Sequence, residues 1–188
     1  MRDRTKDRTS AFDFHGNRLW SVDFRGALAI DESNGNIWIC GYRSNSYAHT
    51  RRHSYDTNVF DSEGGFVKSL PLGRIIAYDR NTNSVWLAGR QIVHVSSDFQ
   101  ILSSLEMIDH WRPESVLIDE DDGTIWICED QWGSSTVNQV RQLSAEGKLL
   151  RKIPFPHHTS RLTPGNAGQL LVYGARVFQG NALERGWR

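Results

Sequence analysis

The stretches LAIDESNGNIWICG (28–41), IAYDRNTNSVWLAG (76–89) and LIDEDDGTIWICE (117–129) decide how this chain folds. They align without gaps, the third starting one position later in register. Asp31, Asp79 and Asp119 each stand four residues before Gly35, Asn83 and Gly123, and seven before Trp38, Trp86 and Trp126. An apolar strand ending in Asp offers a carboxylate to the backbone N–H groups of the turn that follows. Gly or Asn then supplies the left-handed conformation of a tight connection. The second strand alternates, with Ile37 and Ile39 on one face and Trp38 and Cys40 on the other. Val85 and Leu87 against Trp86 and Ala88 repeat the pattern, as do Ile125 and Ile127 against Trp126 and Cys128. Each unit therefore begins as a hairpin with both faces at least partly covered, and the three Trp are assigned to packing between units.

Two further strands follow each hairpin. They lie in TNVFDSEGGFVKSL (57–70), turning at Gly64-Gly65, in RQIVHVSSDFQILSSL (90–105), turning near Asp98, and in NQVRQLSAEGKLLRKI (138–153), turning at Glu146-Gly147. Four short antiparallel strands at this spacing describe a propeller blade, and no stretch carries a convincing helical period. The predicted fold is all-β, a β-propeller of about four blades, with repeats near 27–72, 75–112, 115–156 and 159–188. They form one domain over 11–188, behind a flexible tail at 1–10. The fourth repeat is worn: in GNAGQLLVYGARVFQG (165–180), Gly168 takes the turn, Leu171 the Trp position, and Pro164 replaces the Asp. Two arrangements of the ends follow. RLWSVDF (18–24) completes the last blade and closes a four-bladed ring, or the chain is an open piece of a six- or seven-bladed propeller. An open stack exposes an apolar blade face and is expected to self-associate.

Composition narrows the function classes. Twenty-two Lys and Arg balance twenty-two Asp and Glu, so no net field gathers phosphate backbone, and general nucleic-acid binding is not expected. The first ten residues have no apolar core, and no run approaches a membrane span, so no secretory signal is seen and a cytoplasmic location without membrane partners is expected. Cys40 and Cys128 fall at one position of two non-adjacent repeats and are read as small buried residues.

The segment GTIWICEDQWGSSTVNQVRQLSAEGKLL (123–150) resembles the repeat of NHL-like and virginiamycin B lyase-like propellers. The looser Asp-x-x-x-Gly-x-hydrophobic-Trp pattern is similar to that of the SMP-30-like lactonase group and periplasmic sensor propellers. The repeats span about residues 27–180, and the architecture is WD40-like in kind. The lyase resemblance implies a His and Glu pair with magnesium, Glu129 standing where that family often places a Glu. Gly41, Gly89 and Gly174 occupy the matching position elsewhere, and no His matches the catalytic one. The SMP-30-like resemblance implies a divalent metal held by carboxylate and Asn side chains near the central channel.

In a propeller the Asp-containing turns emerge on one face, and the loops between strands two and three, with the blade connections, on the other. Asp31, Asp79 and Asp119 are thus read as turn builders, and no residue is assigned to a metal. The opposite face receives YRSNSYAHTRRHSYD (42–56), EMIDHWRPE (106–114), DQWGSSTV (130–137) and PFPHHTSR (154–161). Loops on a rigid scaffold carry binding residues. The binding candidates are Tyr47, Arg51, Arg52, Trp111, Arg112 and Trp132, aromatic and guanidinium groups suited to an anion, a sugar or a protein surface. The leading reading is a non-catalytic module that binds or senses a small ligand or protein through this face, with no cofactor. The alternative is a propeller hydrolase or lyase, lactonase-like or virginiamycin B lyase-like. There His110 or His157 serves as base, Asp130 or Glu129 orients it, and Mg²⁺ or Ca²⁺ assists. A third reading is a truncated propeller without independent activity.

Overall fold

The computed structural model describes residues 8–43, 54–106, 111–131, 138–155, 159–164, 169–174 and 177–184. Every regular element among them is a β-strand. Blade one holds β3 (Gly26–Ile30), β4 (Ile37–Arg43), β5 (Ser54–Phe60) and β6 (Phe66–Leu70). Blade two holds β7 (Ile75–Asp79), β8 (Ser84–Ala88), β9 (Gln91–Ser96) and β10 (Ile101–Glu106). Blade three holds β11 (Trp111–Ile118), β12 (Ile125–Gln131), β13 (Asn138–Leu143) and β14 (Leu149–Phe155). Each is a four-stranded antiparallel sheet whose strands neighbour one another in chain order. Blade four has three strands, β15 (Thr159–Pro164), β16 (Gln169–Gly174) and β17 (Val177–Glu184). The first strands β3, β7, β11 and β15 lie against one another and mark the axis.

The repeated turns form as their chemistry dictates. The Asp31, Asp79 and Asp119 carboxylates accept the backbone N–H of Ser33, Asn81 and Asp121 at 3.0, 3.0 and 3.1 Å. Gly35, Asn83 and Gly123 take positive φ of 75°, 49° and 71°. All three Asp are buried. Burial works to raise the Asp31 carboxyl, but hydrogen bonds from Ser33, Ser97 and Tyr78 together hold it below its ordinary value. Arg80 joins neighbouring turns, 2.8 Å from Glu32 of blade one and 3.6 Å from Glu120 of blade three.

The core is a series of blade-to-blade interfaces. Trp38 and Val59 of blade one pack on Val85, Leu87, Val93 and Val95 of blade two. Trp86, Ala88 and Ile92 of blade two pack on Ile125, Ile127 and Leu143 of blade three. Trp126, Cys128 and Val140 of blade three pack on Leu162 and Leu170 of blade four. The three indoles thus fill equivalent niches, each turned toward the following blade. Among the described residues the buried indole N–H groups of Trp38 and Trp86 meet no hydrogen-bond acceptor, which fits packing and not polar recognition. Cys40 and Cys128 are both buried, and burial pushes the Cys40 thiol up to about 12.

The ends depart from the ring-closing arrangement. RLWSVDF does not complete the last blade: β2 (Arg18–Val22) pairs with β1 (Thr9–Phe12) in a two-stranded sheet, and β15–β17 form a separate three-stranded one. The hairpin starts at Thr9, inside the stretch read as a tail, and meets blade one through Trp20. The Trp20 indole donates to the Ser62 carbonyl at 3.0 Å and lies on Gly64, in the turn between β5 and β6. Lys68 in β6 lies over the Phe99 ring, and Ser103 in β10 lies beside Gly147, at the same turn of the next blade. Trp20, Lys68 and Ser103 are each the third residue of their strand. β2 is therefore the outermost strand of a layer preceding blade one, and β1 its neighbour. Closure failed as a reading because burying one apolar side chain on blade one needs no pairing with blade four.

Candidate functional site

Antiparallel register carries β11 and β12 beyond the core toward the long-loop end of the axis. Trp111 faces Gln131, and Arg112 faces Asp130. Trp111 and Arg112, read as part of a blade connection, therefore belong to a strand on the axis, and Trp111 is half-buried. Arg112 holds Asp130 through two bonds, Nε to Oδ1 at 3.0 Å and Nη2 to Oδ2 at 2.6 Å. The same Nε lies 2.8 Å from Glu114 Oε1. Arg74, just before the inner strand of blade two, donates to Glu114 Oε1 at 2.8 Å and to the Pro113 carbonyl at 3.0 Å. A chain of alternating charge, Arg74–Glu114–Arg112–Asp130, thus spans blades two and three at the mouth. Arg112 keeps 38% of its side chain exposed, against 9% for Asp130. A planar guanidinium that stays partly exposed is suited to a carboxylate or paired hydroxyls.

Glu129 is the next residue on β12, and strand alternation sends it to the opposite face. It is wholly buried, ion-paired with Arg141 and accepting from Gln139 Nε2 at 2.7 Å. Burial raises its pKa, with Arg141 opposing. Of the two carboxylates suggested as orienting groups, Asp130 stands at the mouth and Glu129 is enclosed within blade three.

A third cluster has a simpler explanation. Ser84 Oγ lies 2.5 Å from His94 Nε2 and 2.6 Å from Thr82 Oγ1, which donates to Asp79 Oδ2 at 2.8 Å. The His94 ring stacks on Trp86 with centroids 4.2 Å apart, and burial lowers its pKa. This network joins the turn of blade two to its third strand, far from the mouth. The signal for it was available: His94 occupies a core-facing position in QIVHVS, across from Trp86. A cavity of about 290 Å³ between blades three and four is walled by Leu117, Trp126, Pro164 and Leu170. It lies beside Pro164, where the worn repeat lacks its turn-building Asp.

Tyr47, Arg51, Arg52, His110, Trp132 and His157 lie outside the described residues. Among the described residues no three His, Cys, Asp or Glu side chains are grouped to hold a metal ion. No helix among them is long and apolar enough to cross a membrane.

No family model and no curated protein matches the sequence. Solved structures do. A gluconolactonase from Xanthomonas campestris superposes with TM-score 0.57 at 17% identity, over 88% of this chain and 61% of its own. A protein of unknown function from Bacteroides caccae gives 0.56 at 13% identity, over 89% and 64%. The WD40 domain of Neurospora crassa Pan2 gives 0.57 at 14% identity, over 90% and 57%. These likenesses establish a β-propeller fold and no particular propeller family. The chain spans less than two thirds of each of these structures.

Proposed function

We propose that this propeller module binds a small polar molecule at the long-loop end of its axis, through Arg112 and the charges bound to it. The carrying observation is the Arg74–Glu114–Arg112–Asp130 chain, built on β11, β12 and the residue before β7, with Arg112 left partly exposed. Two guanidinium groups and two carboxylates suit a ligand that both donates and accepts, such as a hydroxy acid or sugar acid. Strands β11 and β12 hold three of these groups more rigidly than loops would.

A second reading, hydrolysis of a sugar-derived lactone, is favoured by the likeness to a gluconolactonase. On that reading Asp130 and Glu114 are the carboxylates facing the mouth, and His110 or His157 is the base. Proton transfer needs such a base within hydrogen-bond reach of the attacking water. Calorimetric titration with gluconate, glucose and glucono-δ-lactone tests both. Gluconate should bind, and Arg112→Gln should weaken it by about tenfold or more. Turnover of the lactone above its spontaneous rate supports the second reading. Failure of all three probes to bind overturns both.

A further inference from the structure

The outer strands β6, β10 and β14 are equivalent residue for residue, and among the described residues each is the unpaired edge of its sheet. Each skips register at its second residue, Val67, Leu102 or Leu150. Lys68, Ser103 and Arg151 then pair with Val59, His94 and Gln142. Each also opens on two exposed apolar residues, Phe66 and Val67, Ile101 and Leu102, or Leu149 and Leu150. Past that point the strands differ. Blade one has Lys68 and, at the sixth position, Pro71; blade three has Arg151, Lys152 and Pro154. Blade two reads Ser103, Ser104, Leu105 and Glu106. The Ser96 N–H donates to the Gln100 carbonyl at 2.9 Å, so Ser96, and in alternation His94 and Ile92, turn their backbone groups toward β10. Ser103 and Leu105, opposite His94 and Ile92, return those bonds. Ser104 and Glu106 therefore turn theirs outward. A proline at the sixth position removes an outward N–H, and Lys or Arg beside it guards the edge by charge. Blades one and three have both devices, and β10 has neither.

We propose that β10 pairs with β10 of a second copy of this chain, antiparallel about a two-fold axis at Leu105, joining two four-stranded blades into one continuous sheet. In that register Leu105 meets Leu105 of the other copy. Ser104 and Glu106 of each copy exchange backbone bonds with Glu106 and Ser104 of the other, through the groups that face outward. The strand is self-complementary there. Its one charged residue, Glu106, faces a hydroxyl that can donate to it and never a second carboxylate. The same register sets Ser69 against Pro71 on blade one and Lys152 against Pro154 on blade three, and each loses an outward bond. Self-pairing is thus blocked on the two flanking blades and permitted on the middle one.

Sedimentation at micromolar concentration tests this with substitutions at Ser104 and Glu106, both exposed. Wild type should run as a dimer. Ser104→Glu sets two pairs of like charges against each other and should run as a folded monomer with unchanged circular dichroism. Ser104→Lys places an ammonium opposite Glu106 twice and should hold the dimer roughly fivefold tighter. Glu106→Pro gives β10 the residue its neighbours carry and should also run as a monomer. A monomeric wild type overturns the proposal and leaves the edge to a strand of another protein. A dimer indifferent to Glu106→Pro overturns it too, as does one that Ser104→Lys splits. Phe66→Glu, at an exposed site on β6, should leave the wild-type mass unchanged; loss of the dimer there points to a different surface and also overturns it.

Discussion

Blade two and the leading end of the stack are made from the same strand chemistry and end in different states. Blade two presents Val85 and Leu87 to the blade before it and Trp86 and Ala88 to the blade after, and all four are buried. The β1–β2 hairpin also brings an indole, Trp20, but presents it on one side only and leaves Leu19 in solvent. A blade is stabilised by its neighbours more than by its own hairpins, as in other repeat proteins. What a tryptophan contributes here depends on whether a sheet faces it.

Five substitutions sharpen that contrast. Trp86→Ala should cost about 3–5 kcal/mol in denaturant unfolding, since it empties an interface sealed by Ile125, Ile127 and Leu143. Trp20→Ala should cost about 1 kcal/mol and raise protease sensitivity near the hairpin while the blades stay folded. Equal costs for the two indoles would break the comparison. Glu129→Ala should cost about 3 kcal/mol, because it removes the carboxylate that pairs with Arg141 inside blade three. Arg112→Gln, at the partly open mouth, should cost at most about 1 kcal/mol of stability while still weakening the ligand. The smallest effect concerns pH. Burial lowers the folded pKa of His94, so the unfolded chain takes up the proton more readily. The stability His94 contributes is therefore full above its ordinary value of 6.5 and declines as pH falls through the lowered one. His94→Gln should flatten that part of a stability–pH profile, and an unchanged slope would assign it to other groups.

Legibility followed locality. Asp31, Asp79 and Asp119 as turn builders and the three indoles as blade-packing residues were readable, because strand alternation and turn chemistry act within a few residues. The mouth was half readable. Arg112 and Asp130 were singled out as residues of one face, but their ladder pairing was hidden because the strands extend further than turn signals suggested. Glu129 and Asp130 looked alike in sequence, and only the pleat separates an enclosed ion pair from an open one. Arg74 escaped notice altogether: it lies 40 positions from Glu114, and nothing local announces that neighbouring inner strands bring the two together.

The sequence by itself determined the repeating blade, its turn chemistry and the alternation that turns each indole toward the next sheet, since all of these arise from contacts a few residues apart. The tertiary structure alone decided that the N-terminal strands pack on blade one without joining blade four, and that four charges from two blades meet at the axis. Those outcomes depend on which apolar faces find one another across the stack, a long-range choice that no single repeat encodes.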